Sequence, residues 1–175
     1  MYQIVIPDKL SEERYISGIH ALNLPAPEGT SGDWHFINAF FRNSETSETV
    51  ILAGKGEEID TNYIFGSYGI YMCNEALKCR GLKAQSETSY AANHFRAILD
   101  RLYRVLIYGR YPGYIQGNSE EFLDTEEEKR ILLEKAEMMF PYLTPSQSET
   151  LKKWIDIESK PGYRAWLWGV YNAHI

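Results

Sequence analysis

The most constraining feature of this sequence is an amphipathic stretch near its centre. Between residues 88 and 108, apolar side chains recur every three or four residues, which is the spacing of one face of an α-helix. They are Ala91, Phe95, Ile98, Leu99, Leu102, Val105 and Leu106. We therefore predict a helix over residues 88–108, and the fold has to supply a core that covers its apolar face.

The sequence before this helix predicts short strands separated by loops. Residues 2–6 and 50–53 are apolar and contain β-branched side chains, which favour strands. Ser11, followed by two glutamates, indicates the N-cap of a helix whose apolar stripe ends near Asn23. Residues 34–41 fit either a strand or helical turns, because periodicity does not decide over so short a segment.

Two more helices are predicted in the C-terminal half. Thr125 precedes three glutamates and a helical pattern over residues 126–139. Ser146, with a glutamate three residues later, has the spacing of a capping box for a helix over residues 146–157. Because 175 residues fit one compact domain, we expect a single domain over residues 1–175. Its expected class is α+β, with a small N-terminal sheet followed by a mainly helical C-terminal half.

The overall charge and the cysteine content exclude several classes of protein. The formal net charge is -6, and an acidic protein is disfavoured as a nonspecific ligand of nucleic acid or anionic membranes. The longest segment without a charged residue, 61–74, is shorter than the roughly 20 apolar residues of a membrane helix. Cys73 and Cys79 are too few for a disulfide framework, and the N-terminus lacks the pattern of a secretion signal. We therefore expect a cytoplasmic protein.

No common catalytic or cofactor motif is present in the sequence. A Walker loop, a dinucleotide-binding glycine pattern, a nucleophile elbow and a paired-histidine metalloprotease helix are all absent, so no cofactor is expected. Asp33 and His35 are two residues apart, and on an extended segment their side chains point to one face. They can act as metal ligands or in proton transfer. Alternatively, Asp33 caps a turn and His35 makes a structural hydrogen bond.

The polar face of the central helix carries a second set of candidate residues. Four side chains share this face at spacings of three or four residues: Asn93, Arg96, Asp100 and Arg104. Arg96 and Asp100 are predicted to form a solvated ion pair. His94 lies at the border of the polar face, and if it meets Asp33 and His35 in space, the three side chains form a catalytic cluster. With help from Arg96, such a cluster suits a small hydrolase or a nucleic-acid-processing enzyme.

Charge is distributed unevenly along the chain. Residues 78–110 contain seven basic and two acidic side chains, whereas residues 120–128 contain six acidic ones and no basic one. The basic segment predicts a surface for an acidic partner or for RNA, with Arg101 and Arg104 as contact residues, unless the two segments pair with each other. In the aromatic C-terminal segment, Trp168 is a further candidate for partner contact.

Four segments carry a resemblance to a known family: YISGIHALNLP at residues 15–25, GDWH at 32–35, IFGSYGI at 64–70 and ANHFRAILD at 92–100. Over residues 15–100 the chain resembles a family of small bacterial cytoplasmic proteins associated with toxin-antitoxin or abortive-infection loci that carry a nucleotidyltransferase-like toxin. The resemblance implies a bacterial source and an antitoxin-like role in binding a partner protein, such as a cognate toxin. It implies no catalytic residues. A partner-binding protein is therefore the leading hypothesis, followed by the small enzyme and then by an RNA-binding module.

Overall fold

The order of strands and helices matches the predicted α+β class. The structure, a computed structural model, describes residues 1–33, 37–45, 47–109 and 118–160. All six strands within these ranges lie before residue 93, and the three longest helices follow them. The chain therefore has an α+β fold with its helices concentrated in the C-terminal half.

The strands have two or three residues, and the helices of the N-terminal half have one or two turns. The strands are β1 (Tyr2–Gln3), β2 (Arg14–Ile16), β3 (Phe41–Arg42), β4 (Leu52–Gly54), β5 (Ile70–Met72) and β6 (Tyr90–Ala92). The α-helices are α1 (Gly18–Leu22), α2 (Asn62–Phe65), α3 (Asn74–Cys79), α4 (His94–Ile107), α5 (Asn118–Phe122), α6 (Glu126–Glu137) and α7 (Pro145–Glu158), and 3-10 turns occupy Ile37–Phe40 and Phe140–Tyr142. Of the helices in the described ranges, none is long and apolar enough to cross a membrane.

Four strands form the main sheet in the order β4-β2-β6-β5. The central strand β2 runs antiparallel to β4, with Tyr15 opposite Ala53, and parallel to β6, with Ile16 opposite Ala91. Tyr15 and Ile16 are fully buried, and successive strand residues point to opposite faces. They belong to two different hydrophobic clusters, so the sheet separates two cores. β1 and β3 form a separate antiparallel pair.

Helix α4 is the long amphipathic helix that the central apolar pattern predicts, but it starts later. Residues 90–92 form β6, because two alanines of this segment fit the buried centre of the sheet. Asn93 then caps α4 by accepting a hydrogen bond from the Arg96 backbone N–H at 2.9 Å. The predicted start at residue 88 is therefore wrong, while the predicted end near residue 108 is confirmed.

The helix predicted after Ser11 is also wrong in its first half. Tyr15 and Ile16, the first two residues of the predicted apolar stripe, belong to β2, and only α1 is helical. The reason is that this segment pairs with β4 and β6, which are distant in sequence, and its two side chains are buried on opposite faces of the sheet. Within residues 34–41, the described part is a 3-10 turn followed by the first residue of β3.

The starts of the last two helices follow the capping chemistry of their sequences. The predicted start of α6 at Thr125 is confirmed, and a capping box with Glu128 fixes it. Helix α7 starts earlier than predicted, because Thr144 and Gln147 form its capping box in place of Ser146. Both helices pack against α4 and complete the core on that side.

Candidate functional site

Helix α4 carries two sets of charged side chains that differ in burial. Arg96 and Asp100 are 0% and 3% exposed, whereas Arg101 is half-buried and Arg104 is exposed. The predicted pairing of Arg96 with Asp100 is confirmed, with Arg96 Nε 3.2 Å from Asp100 Oδ1, but the prediction that this pair is solvated is wrong. Their side of α4 is covered by the segment 61–68, which contributes acceptors to Arg96.

The Arg96 guanidinium makes five hydrogen bonds, and all of its nitrogens take part. The acceptors are Thr61 Oγ1 at 3.1 Å, Asp100 Oδ1 at 3.2 Å, Gly66 O at 3.0 Å, Tyr68 O at 2.9 Å and Asn62 Oδ1 at 2.9 Å. The guanidinium carbon also lies 5.3 Å and 5.1 Å from the ring centres of Tyr15 and Phe65. We call this arrangement the Arg96 clamp, because it fastens the segment 61–68 to α4. A guanidinium used in this way is not available to a substrate.

Asp100 is the anion of the clamp. Its Oδ2 accepts a hydrogen bond from Ser17 Oγ at 2.6 Å, and its Oδ1 accepts one from Thr61 Oγ1 at 2.5 Å and one from Arg96. Burial raises the pKa of this carboxyl, while Arg96 and the two hydroxyls act in the opposite direction. Every one of these partners donates, which fits the ionised carboxylate, since that form can only accept.

His94 is also occupied by structural hydrogen bonds. Its Nε2 lies 2.9 Å from Leu24 O and its Nδ1 lies 2.5 Å from Thr30 Oγ1. Because a carbonyl oxygen can only accept, Nε2 carries the proton and Nδ1 accepts from the hydroxyl. A Cβ built on Gly32 would lie 2.4 Å from the imidazole, so the loop fits tightly around the ring. Burial lowers the pKa of His94 and keeps the ring neutral.

The four predicted catalytic residues do not form one cluster within the described part of the chain. Asp33 is half-buried next to Gly32, with its backbone N–H bonded to Leu22 O at 2.7 Å. No hydrogen bond or ion pair among the described residues joins Asp33 to His94 or Arg96. His94 and Arg96 contact different loops, and His35 lies outside the described residues. Nor does any group of three or more His, Cys, Asp or Glu side chains, in the ranges searched, have the geometry to hold a metal ion.

The second set of charged side chains lines a cleft of about 340 Å³, which we call the α4 cleft. Three segments build it: the junction of β2 and α1, the edge strand β4 with the loop that follows, and the exposed side of α4. Its lining residues are Ser17, Gly18, Ile19, Ile51, Leu52, Ala53, Glu58, Ile59, Asp100, Arg101 and Arg104. The walls are mainly aliphatic, and the charged groups come from α4 and Glu58.

Arg101 and Arg104, predicted as partner-contact residues, both line this cleft. Arg104 pairs with Glu58 through contacts of 3.3 Å and 3.4 Å, and about half of each side chain is exposed. The Arg104 guanidinium carbon lies 5.7 Å from the ring centre of Tyr108, and that of Arg101 lies 5.8 Å from the ring centre of Phe122. The Tyr108 ring thus lies beside the Arg104 guanidinium, whereas the Arg101 guanidinium lies against the buried Phe122 ring and its Nη1 is buried. Trp168 lies outside the described residues.

Sequence reasoning missed Ser17, Glu58 and the aliphatic walls. They are more than forty residues away from Arg101 in sequence, and no periodic pattern connects residues at such separations. For the loop that Arg96 binds, the sequence does offer a local signal. Glycines at positions 66 and 69 mark a turn, and a Cβ on Gly69 would lie 2.5 Å from the Asn93 side chain, so the loop approaches α4 closely there. Arg96 donates hydrogen bonds to two carbonyl groups of this loop, those of Gly66 and Tyr68.

A scan of this chain against protein-family models, a search of curated proteins and a search of solved structures all find no match. The clamp, the cleft and the residues that form them are therefore the basis for assigning a function.

Proposed function

We propose that this chain is an antitoxin-like protein-interaction component that binds a partner protein, such as a cognate toxin, through the α4 cleft. The observation that carries the proposal is that Arg101 and Arg104 both line one accessible cleft with aliphatic walls. Arginine beside apolar surface is the composition that anchors protein interfaces. We also propose that it works in the cytoplasm, and the free thiols of Cys73 and Cys79 support a reducing compartment.

The surroundings of the cleft add to this support. Ile51, which lines the cleft, is 47% exposed, and Tyr108, which stacks on Arg104, is 52% exposed. Covering such side chains removes apolar area from water at about 25 cal/mol per Å². A partner that covers both therefore gains affinity from the same surface that supplies the two arginines.

The alternative, a small hydrolase or nucleic-acid-processing enzyme, has less support. It requires His94 as a base and Arg96 as an electrostatic aid, yet both imidazole nitrogens and all guanidinium nitrogens are engaged in structural hydrogen bonds. RNA binding by residues 78–110 is weakened for a related reason. Arg96 is buried in the clamp, so one of the seven basic residues of this segment is not available to phosphates.

The test is complex formation with a purified partner. The purified chain is mixed with the purified product of the neighbouring gene, and the mixture is analysed by size-exclusion chromatography with light scattering. We expect a complex, and we expect the double variant Arg101→Glu/Arg104→Glu to weaken it at least about tenfold. The matched control is Arg130→Glu, an exposed arginine on α6 that is paired with glutamates. Absence of any complex with the wild-type chain would overturn the proposal.

A further inference from the structure

Three tyrosines from separate elements meet at the surface of the molecule. Tyr63 lies on α2, Tyr103 on α4, and Tyr142 in the 3-10 turn before α7. The ring centres of Tyr63 and Tyr142 are 5.1 Å apart at an angle of 71°, and those of Tyr63 and Tyr103 are 6.3 Å apart at 78°. We call these three side chains the tyrosine surface. Rings that meet edge to face form a corner, in which one small group can touch two rings at once.

The tyrosine surface is both fixed in place and open to solvent. The hydroxyls of Tyr63 and Tyr103 share a hydrogen bond, and the Tyr103 ring is buried. Tyr63 and Tyr142 are 52% and 49% exposed. Because the buried ring already holds Tyr63, a ligand that binds here orders little additional side chain, which lowers the entropic cost of binding.

The rings of the tyrosine surface differ from other tyrosines of this chain in having no cation beside them. The Lys135 Nζ lies 4.3 Å from the ring centre of Tyr68, and the Arg104 guanidinium carbon lies 5.7 Å from that of Tyr108. Within the ranges that the structure describes, no lysine or arginine lies in this way over any ring of the tyrosine surface. The electron-rich ring faces can therefore attract a cation that a ligand supplies.

A carboxylate without a counter-ion adjoins this surface. Burial and the Tyr103 hydroxyl raise the pKa of Tyr63, and the negative charge of Asp60 adds to that shift. Asp60 Oδ1 accepts the backbone N–H of Asn62 at 2.9 Å. Among the described residues, no side chain donates to Asp60 Oδ2 and no lysine or arginine forms an ion pair with Asp60. This carboxylate is therefore able to bind a cation from outside.

The charges around Asp60 also favour a cation. Asp60 shares a surface depression with Glu12, Glu13 and Lys55, and Lys55 pairs with Glu13 at 3.3 Å. The charged side chains that line this depression therefore sum to two negative charges. The positive charge of Arg96, which lies in the interior, is balanced by the anion of the clamp. Such a surface attracts a cation and repels phosphate groups.

From these features we propose that the tyrosine surface binds an arginine side chain of a peptide or protein. The guanidinium lies against the exposed faces of Tyr63 and Tyr142 and pairs with Asp60. Arginine fits this arrangement better than lysine, because its planar group stacks on aromatic rings and binds a carboxylate through two donors at once. None of these three residues lines the α4 cleft, so the inference goes beyond the proposed function and is tested separately from it.

The test is a nuclear magnetic resonance titration of the full chain with ¹³C-labelled tyrosine rings. The probe is acetyl-Gly-Arg-Gly-amide, and its matched control is the same peptide with citrulline in place of arginine, which keeps the shape and removes the charge. We expect the probe to shift the ring signals of Tyr63 and Tyr142, with a dissociation constant on the order of 1–10 mM. The citrulline peptide should bind at least about fivefold more weakly.

Two protein variants test the two parts of the site. Tyr142→Leu removes an aromatic face but keeps an apolar side chain, and it should weaken binding of the probe about threefold. Asp60→Asn removes the charge but keeps an acceptor for the Asn62 N–H, and it should weaken binding by a similar factor, about threefold. The matched controls are Tyr2→Leu, a tyrosine on β1 that is also 49% exposed, and Asp8→Asn, an exposed carboxylate. Both controls should leave the affinity unchanged.

Several results would overturn the proposal. The first is equal binding of the arginine and citrulline peptides, and the second is an unchanged affinity in both Tyr142→Leu and Asp60→Asn. Tighter binding of adenosine monophosphate than of the probe at the same rings would assign the surface to base stacking instead. Ring signals of Tyr63 and Tyr142 that shift with protein concentration in the absence of peptide would assign it to a second copy of the chain, which also contradicts the proposal.

Discussion

Arg96 and Arg104 lie just over two turns apart on the same helix, and each pairs with a carboxylate at a similar distance. Arg96 is 3.2 Å from Asp100 and Arg104 is 3.3 Å from Glu58. The first pair is almost completely buried and the second is about half exposed. The difference shows that two ion pairs of similar length on one helix can differ widely in burial, and burial decides how much an ion pair contributes to stability.

The physical basis of the contrast is the cost of removing charge from water. A buried ion pair loses its hydration, so removing one partner leaves an uncompensated charge and costs about 3–5 kcal/mol. An exposed pair keeps most of its hydration, and breaking it costs about 0–1 kcal/mol. The two regions of α4 should therefore respond very differently to the same chemical change.

The largest expected effect comes from removing the anion of the clamp. Asp100→Ala should lower the free energy of unfolding by about 3–5 kcal/mol, because Arg96 and the Ser17 and Thr61 hydroxyls lose their buried acceptor. The measurement is urea denaturation followed by circular dichroism. Glu58→Ala is the matched control at the cleft and should change the same quantity by less than about 1 kcal/mol. Equal decreases in the free energy of unfolding for the two variants would contradict the contrast between the buried and the exposed ion pair.

A second variant tests whether the loop at Gly32 encloses the His94 ring tightly. Gly32 has a φ of +60°, and a Cβ there would lie 2.4 Å from the His94 ring and 2.5 Å from Leu22 O. Gly32→Ala should therefore lower the free energy of unfolding by about 3 kcal/mol, combining backbone strain with a steric clash. Gly29 has a φ of +78° with open space around it, so Gly29→Ala isolates the strain alone, about 1 kcal/mol. Thermal and urea denaturation measure both, and similar losses would show that the ring is not tightly enclosed.

The third prediction concerns pH and the wall of the cleft. His20 Nδ1 accepts the backbone N–H of Ile51 at 2.9 Å, and Nε2 lies 3.1 Å from Ala39 O. Burial lowers the pKa of His20 to about 4. The imidazole of the unfolded chain binds a proton near pH 6.5. The contribution of neutral His20 to the free energy of unfolding is therefore fully present above that pH, and it decreases as the pH falls towards 4.

From His20 alone, the free energy of unfolding should drop by about 2 kcal/mol between pH 7 and pH 5. His94, whose pKa is also lowered by burial, adds to the same trend. Urea denaturation at several pH values measures the slope. A His20→Gln variant should show a flatter profile over this interval, and a profile as steep as that of the wild-type chain would contradict the assignment.

The sequence was informative where local chemistry decides the structure. The apolar pattern of α4 and the cap of α6 at Thr125 could both be predicted, because the residues that determine them lie within one or two turns. The strand β2 could not, since Tyr15 and Ile16 fit a helical stripe equally well and become a strand only through pairing with β4 and β6. Secondary structure that depends on distant partners has no local signature.

The same limit applies to the candidate site. The pattern that placed Arg96, Asp100 and Arg104 on one polar face is correct in its spacing, but it cannot tell which part of the face the segment 61–68 will cover. Charge alone predicts Arg101 and Arg104 as partner-contact residues; both line one cleft, and their contact with a partner stays a prediction. The aliphatic walls and Glu58 depend on contacts between distant segments, which only the folded chain reveals.

The most direct test of the contrast is to remove the same guanidinium charge from each region. Arg96→Gln and Arg104→Gln are compared with the wild-type chain by urea denaturation in one buffer. We expect Arg96→Gln to lower the free energy of unfolding by about 3 kcal/mol or more, and Arg104→Gln to change it by less than about 1 kcal/mol. A loss at Arg104 as large as that at Arg96 would contradict the division of α4 into a buried structural clamp and an exposed region that contributes little to stability.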